Sequence, residues 1–231
     1  MRKRILSALG LALLVLVTYL AVRNSSFLSD PTKPRIDIMS KPTELRYGAL
    51  EIREYEGVRL DPSIGPRDNS IRGVQSVDLE SYALKVTGLV NRDMLYTYED
   101  VLSKEHHDRL IKLYCVEGWD ATVLWTGVRL VDLLDDAGLK EESNTVIFHC
   151  IDGYTTSIPL TSIRERDMLL AFFSNGTTLP ESLGFPFIVV AQDKLGYKWA
   201  RWVTGIEASD NLDYKGYWEK RGYSNDAEVK R

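Results

Sequence analysis

The chain contains many short stretches in which apolar residues either alternate with polar ones or form an unbroken apolar run. These patterns predict β-strands more often than helices. The clearest alternation covers residues 110–115, where it ends at Cys115 and is broken by Glu117-Gly118. This pattern predicts a strand that delivers a cysteine to a turn. The other predicted strands cover residues 82–88, 145–151, 168–173, 187–191 and 202–208.

Two stretches have the features of helices. Thr97 is a capping residue for a short helix over 98–103, and the apolar spacing of residues 128–137, which Gly138 follows, predicts a second helix. Asn175-Gly176 is a strong hairpin signal. Because strands and helices do not alternate regularly, the pattern predicts a mixed α+β domain.

The N-terminus departs from this pattern. Basic residues at positions 2–4 precede an uncharged apolar run, so residues 1–23 are predicted to form a membrane helix. We favour an uncleaved anchor over a signal peptide because Tyr19-Leu20-Ala21 lacks one of the small residues that a cleavage site needs. The basic cluster stays in the cytoplasm, which predicts a single-pass protein of the cell membrane with its domain on the extracytoplasmic, periplasmic side.

The remaining organisation follows from composition along the chain. Residues 24–44 are rich in Ser, Pro, Asp and Lys and are predicted to be a tether. Residues 45–231 then form one globular domain. Its polar tail from Ser209 contains four aromatic residues, so we expect the tail to dock on the domain. These residues are Tyr214, Tyr217, Trp218 and Tyr223.

Composition also narrows the possible functions. A formal net charge of -4 argues against nucleic acid as a partner, because neutralising phosphates needs a basic face. The three histidines lack the spacing of a zinc site, and two cysteines cannot make a disulfide scaffold. The sequence has no Cys-x-x-Cys-His haem site, so a redox role would need a separate electron-transfer protein.

Cys115 is the main candidate for chemistry. A thiolate at a strand end can be a nucleophile, a redox thiol, a disulfide partner or a soft metal ligand. A disulfide with Cys150 is one account, and thiol catalysis with His149 is a weaker one. The residues alone do not choose among these.

The segments around Cys115 resemble the molybdopterin-binding domain of the sulfite oxidase family, which includes periplasmic methionine-sulfoxide reductase catalytic subunits. The first is Cys115-Val-Glu-Gly-Trp119, followed by Trp125-Thr-Gly-Val-Arg-Leu130, which is expected to open a helix. The other similar segments are residues 67–73, 154–160, 170–176 continuing through Leu179-Pro180 and Gly184-Phe-Pro186, 196–198 with Arg201-Trp202, and 216–223.

The resemblance implies a sulfite-oxidase-like fold with a molybdenum-molybdopterin cofactor, in which Cys115 is the protein's ligand to the metal. It implies that Tyr154 orients the substrate or transfers a proton. Five residues are implied to hold the pterin: Arg67, Asn69, Asn175, Lys198 and Arg201. Asn175 as a turn residue and Lys198 as a solvated charge are the plain alternatives.

Two positions depart from the family pattern. Ile188 stands where the family usually has an arginine, and Leu183 where sulfite oxidases have a histidine. An anion pocket of the sulfite oxidase type therefore loses support, and a neutral substrate such as a sulfoxide gains it.

Together these observations predict a membrane-tethered extracytoplasmic molybdopterin-dependent oxidoreductase that transfers oxygen to or from a small-molecule or protein-bound substrate. Its electrons would pass through a separate protein, for which a membrane haem protein is a candidate. The alternatives are a sulfite-oxidising enzyme and a metal-free binding or sensor module that kept the fold.

Overall fold

The computed structural model describes residues 50–63 and 70–230. The predicted membrane helix, the tether and two of the predicted pterin-binding residues, Arg67 and Asn69, lie outside the described residues. Within the described ranges, no helix has the length and apolar character needed to cross a membrane.

Two five-stranded sheets form the framework of the described chain. In the first sheet, the order β10-β9-β6-β5 is antiparallel throughout, and β11 also pairs with β9. These strands are β5 (His107–Tyr114), β6 (Asp120–Arg129), β9 (Leu169–Ser174), β10 (Thr177–Thr178) and β11 (Ile188–Val190).

The second sheet has the order β4-β3-β12-β7-β8, and only its β12–β3 pair is parallel. Its strands are β3 (Leu84–Gly88), β4 (Met94–Tyr96), β7 (Thr145–Cys150), β8 (Thr155–Pro159) and β12 (Val203–Ser209). A separate hairpin is formed by β1 (Glu54–Tyr55) and β2 (Val58–Arg59). This architecture agrees with the predicted mixed α+β fold.

Three short α-helices lie between the strands of the described residues: α1 (Tyr98–Leu102), α2 (Leu130–Asp136) and α3 (Leu160–Arg166). Thr97 caps α1 in a capping box with Asp100, as the sequence indicated. The expectation that Trp125–Leu130 opens a helix was wrong, because residues up to Arg129 belong to β6. Their backbone pairs with β9 in the register Trp125↔Ser174 and Val128↔Leu170, so the helix begins only at Leu130.

The hairpin predicted at Asn175-Gly176 joins β9 to β10. Both residues have positive φ angles, of 48° and 75°, which is the conformation that a tight hairpin turn requires. The apolar residues of both sheets and all three helices pack into one core, in which β7, β9 and β11 are almost completely buried. This core fixes the strand ends that carry the candidate site.

The C-terminal tail packs against β8. The amide of Tyr217 donates a 2.9 Å hydrogen bond to the carbonyl oxygen of Thr155, and the hydroxyl of Ser157 donates a 3.1 Å bond to the carbonyl oxygen of Tyr214. The tail therefore covers an edge of the second sheet.

Candidate active site

Cys115 lies one residue beyond the end of β5, at the start of a tight turn. Its amide donates a 2.9 Å hydrogen bond to the carbonyl oxygen of Trp119, and the amide of Gly118 donates a 3.2 Å bond to the carbonyl oxygen of Cys115. Gly118 has a φ of 87°, which an L-amino acid adopts only at a cost. The turn therefore holds a partly buried cysteine at a fixed place.

Cys115 lines a cavity of about 390 Å³. This volume is within the range of small-molecule and cofactor sites, roughly 300–1,000 Å³. Seven of the sixteen lining residues are aromatic, and three are charged. The aromatic residues are Trp119, Tyr154, Tyr197, Trp199, Trp202, Trp218 and Tyr223, and the charged residues are Glu117, Asp152 and Arg201.

Tyr154 lines the same cavity as Cys115. It follows the predicted turn, in which Gly153 has a φ of 84° and the carboxylate of Asp152 accepts a 2.9 Å hydrogen bond from the Tyr154 amide. Its hydroxyl donates to the carbonyl oxygen of Tyr197. Burial, and then the negative charge of Glu219, raise the pKa of Tyr154 well above its usual value, so the phenol stays protonated.

Arg201 is the third predicted residue that lines the cavity. One guanidinium nitrogen donates a 3.1 Å hydrogen bond to the carbonyl oxygen of Ser182. A Cβ atom on Gly184 would lie 2.8 Å from the Cβ of Arg201, so the absence of a side chain at 184 makes room for the arginine. The structure thus brings Cys115, Tyr154 and Arg201 together.

Asn175 does not line this cavity. Its side chain is fully buried and its amide group is occupied: the oxygen accepts from the Leu124 amide at 3.0 Å, and the nitrogen donates to Asp61 O at 2.8 Å and Ser63 Oγ at 3.3 Å. Asn175 therefore joins the β9–β10 turn to β6 and to the loop after β2, and the pterin contact that the resemblance implied stays a prediction.

Lys198 also lies outside the cavity lining. The side chain is 1% exposed, and its ammonium group is 2.6 Å from a carboxylate oxygen of Glu219. Burial forces the ammonium group to take a protein partner, so Lys198 is not a solvated charge, whereas its implied contact with the pterin stays a prediction. The positive charge of Lys198, which was expected near the cofactor, is paired with Glu219 inside the domain.

The competing accounts of Cys115 lose support. Cys115 and Cys150 are not joined in a disulfide, and burial raises the pKa of the Cys150 thiol well above its usual value, so that cysteine is a small buried hydrophobe. His149 faces a different groove, where its Nε2 lies 2.8 Å from a carboxylate oxygen of Glu207. It is therefore not a base for Cys115.

The two residues that depart from the family pattern lie in the interior of the domain. Ile188 and Leu183 are buried at 0% and 2% exposure and do not line the cavity. Ile188 forms a backbone bridge to Arg201. Of these two paired residues, Arg201 is the one that lines the cavity.

Sequence reasoning missed part of the cavity wall. Asp152 was expected only as a turn residue, yet it is 2% exposed and lines the cavity. Trp199 and Trp202 lie beside predicted residues, and tryptophans at these positions could have indicated a shared apolar wall. Among the described residues, no group of three or more His, Cys, Asp or Glu side chains could hold a metal.

The sequence and fold of the chain are similar to those of known proteins. The model of the oxidoreductase molybdopterin binding domain family matches residues 71–218. The chain is 36% identical over 147 residues to the uncharacterized oxidoreductase YuiH of Bacillus subtilis (strain 168), covering 63% of this chain and 74% of that protein.

Two further relatives are more distant. The putative protein-methionine-sulfoxide reductase subunit YedZ1 of Azospira oryzae is 32% identical over 151 residues, which is 65% of this chain and 57% of that protein. The mitochondrial sulfite oxidase of Rattus norvegicus is 29% identical over 180 residues, which is 65% of this chain but 33% of that protein. The chain therefore spans only part of the length of these relatives.

A solved structure has a similar fold. The sulfane dehydrogenase SoxCD of Paracoccus pantotrophus superposes with a TM-score of 0.60 and 19% identity, over 81% of this chain and 57% of that one.

Proposed function

The chain belongs to the oxidoreductase molybdopterin binding domain family, and from this membership we propose that it transfers an oxygen atom at a molybdenum ion bound by the thiolate of Cys115. Molybdenum-molybdopterin is the cofactor of this family and the chain is an oxidoreductase. The observation that supports the site is that a partly buried cysteine at a strand end, outside any disulfide, lines a cavity large enough for a small cofactor or substrate.

The residues of the cavity fit the cofactor. A single thiolate, without histidine or carboxylate neighbours in a metal-binding group among the described residues, suits a soft metal that receives its other ligands from the cofactor. Arg201 offers a cation for an anionic group of the pterin. Gly196 also lines the cavity and lies next to the end of β5, where a Cβ atom would be in ordinary van der Waals contact with Cys115, 3.8 Å from its Cα. When bound, the cofactor supplies the redox chemistry of oxygen-atom transfer.

The charges around the cavity favour a neutral substrate. Among the described lining residues, the cation of Arg201 is accompanied by the carboxylates of Asp152 and Glu117, so the wall offers no excess of positive charge for an anion. The aromatic residues give the cavity an apolar surface with which a thioether or sulfoxide can pack. We therefore favour a sulfoxide, free or within a protein, as the oxygen donor.

Tyr154 is suited to hold a proton at its hydroxyl oxygen. Because burial keeps the phenol protonated, it can donate a hydrogen bond to a sulfoxide oxygen if the bond to the Tyr197 carbonyl is exchanged. Its role would be to orient the substrate and to share its proton in a hydrogen bond with the oxygen as that oxygen leaves sulfur.

Electrons must come from another protein in this proposal, because the sequence contains no haem or iron–sulfur motif. A membrane haem protein is the partner that we propose. It would meet the domain on the extracytoplasmic side, to which residues 1–23 would anchor it. The name of the Azospira relative, a reductase subunit, supports a multi-protein system.

The test uses the full chain, purified from a host that makes molybdopterin. Methionine sulfoxide reduction is measured with an artificial electron donor, and sulfite oxidation with an artificial acceptor. We expect molybdenum in the protein and turnover of the sulfoxide, with turnover lost in Cys115→Ser and kept in Cys150→Ser. Sulfite turnover without sulfoxide turnover would show that sulfite, and not a sulfoxide, is the substrate. A wild-type protein without molybdenum would contradict the proposed enzymatic activity.

A further inference from the structure

A buried ion pair joins two segments of the cavity wall. Lys198 and Glu219, whose side chains are 1% and 0% exposed, approach to 2.6 Å. Lys198 lies between Tyr197 and Trp199, which both line the cavity, and Glu219 follows Trp218, which lines it from the tail. The pair itself is outside the lining, and each of its members is adjacent in sequence to these aromatic residues.

Further hydrogen bonds connect the pair to both sides. The ammonium group of Lys198 also donates to the carbonyl oxygen of Ser157 at 2.9 Å and to Asn225 Oδ1 at 3.0 Å. The same carboxylate oxygen of Glu219 accepts a 2.6 Å bond from Thr156 Oγ1. The pair therefore fastens the tail to β8 and to the 3₁₀ turn Gly196–Lys198.

The second carboxylate oxygen of Glu219 is buried with no hydrogen-bond partner among the described residues. Burying a charge that is incompletely paired costs free energy. An apolar pair of similar size would therefore stabilise the domain about as well as this ion pair does. Burial lowers the pKa of Lys198, and the hydrogen bond and charge of Glu219 oppose that shift. The ion pair is therefore better explained by its effect on the position of the tail than by its contribution to the stability of the domain.

The aromatic side chains across the junction contact one another. The rings of Tyr197 and Tyr223 lie 5.3 Å apart, and those of Trp218 and Tyr223 lie 5.1 Å apart. Residues of the 3₁₀ turn and of the tail thus form one continuous wall, and movement of the tail would open it.

We propose that the Lys198–Glu219 pair is a positioning element that holds Trp218 and Tyr223 of the tail as a wall of the substrate cavity and thereby sets the affinity for substrate. The identity of the substrate rests on the proposed function, whereas the effect on the wall does not.

Lys194 provides a matched control. It is also a buried lysine that holds the tail, with its ammonium group 3.2 Å from Asp226 and 2.5 Å from Glu228. Its partners lie beyond the tail residues of the cavity, and neither Lys194 nor these partners line it.

The test compares Lys198→Met, Glu219→Gln, the double variant and Lys194→Met in the purified holoenzyme. For Lys198→Met we expect a KM for methionine sulfoxide raised roughly tenfold with kcat changed less than about threefold, because the wall is displaced but the reacting groups are not. Acrylamide quenching of tryptophan fluorescence should rise about twofold, because Trp218 becomes accessible. The double variant, which lacks the unpaired charge, should recover part of both changes, and Lys194→Met should show neither.

Unchanged KM and quenching in a folded Lys198→Met protein would overturn the proposal, as would equal effects of Lys194→Met. If Lys198→Met does not fold, the same two measurements on Glu219→Gln decide. If no substrate is turned over by the wild type, the proposed function fails, but the quenching comparison still tests the pair.

Discussion

The amide nitrogen of Cys115 and the carbonyl oxygen of Trp119 are joined by a 2.9 Å hydrogen bond, which closes the turn that carries the candidate metal ligand. The cysteine and one aromatic residue of the cavity wall are therefore held by the same five-residue segment. The geometry of the site depends on this turn.

Gly118 allows the turn to adopt its conformation. At a φ of 87° an alanine has space, since no atom lies within 4 Å of its Cβ, but its backbone is strained by about 1–2 kcal/mol. We expect Gly118→Ala to lower the free energy of unfolding by that amount and to reduce the molybdenum content. Gly57→Ala, at a φ of 77° with equal space, should cost similar stability but leave the molybdenum content unchanged. Equal molybdenum contents in the two variants would contradict a special role for the turn.

Gly127 permits the close approach of β6 to β9. A Cβ atom on Gly127 would overlap the carbonyl oxygen of Leu170 and lie 2.6 Å from the Cα of Ala171. Because backbone must move, Gly127→Ala should destabilise the domain by about 1–3 kcal/mol in urea unfolding followed by circular dichroism. Gly205→Ala is the control, since its Cβ would meet only the side chain of His149, at 3.3 Å. A smaller loss for Gly127→Ala than for Gly205→Ala would contradict the register of β6 against β9.

Tyr154 is expected to act as a protonated phenol at every pH at which the enzyme works. Its pKa is raised by burial, so the neutral form is the one present below the raised value and no ionisation falls in the neutral range. Tyr154→Phe should lower kcat roughly 100-fold. The ratio of wild-type to variant kcat should be the same from about pH 6 to about pH 9, and a ratio that falls with a midpoint in this range would indicate that Tyr154 ionises there.

Substitutions of Asn175 and of Arg201 should have different effects, the first on the stability of the domain and the second on cofactor binding. Asn175→Ala leaves the buried Leu124 amide without its acceptor, for which we expect a loss of about 1–3 kcal/mol of stability. The folded fraction should keep its molybdenum. Arg201→Met should show the reverse, with a lower molybdenum content and a smaller change in unfolding. Loss of metal from folded Asn175→Ala protein would instead support its predicted role at the pterin.

The sequence predicted the elements that depend on local patterns. The strand before Cys115, the capped helix after Thr97 and the hairpin at Asn175-Gly176 follow from alternation, capping and turn chemistry within a few residues. The extent of β6 was missed because its pairing with β9 outweighs the helical spacing that begins near Val128.

The site was predicted only in part, because burial is set by distant residues. The identities of Asn175 and Lys198 suggested ligand contacts, but their partners are Asp61, 114 positions away, and Glu219, 21 positions away. The aromatic residues of the tail indicated docking, whereas the place of Trp218 in the cavity wall is set by tertiary contacts that the local sequence does not contain.

The most direct test of the account is the molybdenum X-ray absorption spectrum of the purified wild-type protein and its Cys115→Ser variant. We predict that the wild-type metal has one sulfur ligand more than the dithiolene of its cofactor supplies, and that this ligand is missing from any metal in the variant. A wild-type metal with only the dithiolene sulfurs, or an identical sulfur shell in the two proteins, would contradict the assignment of Cys115 as the ligand.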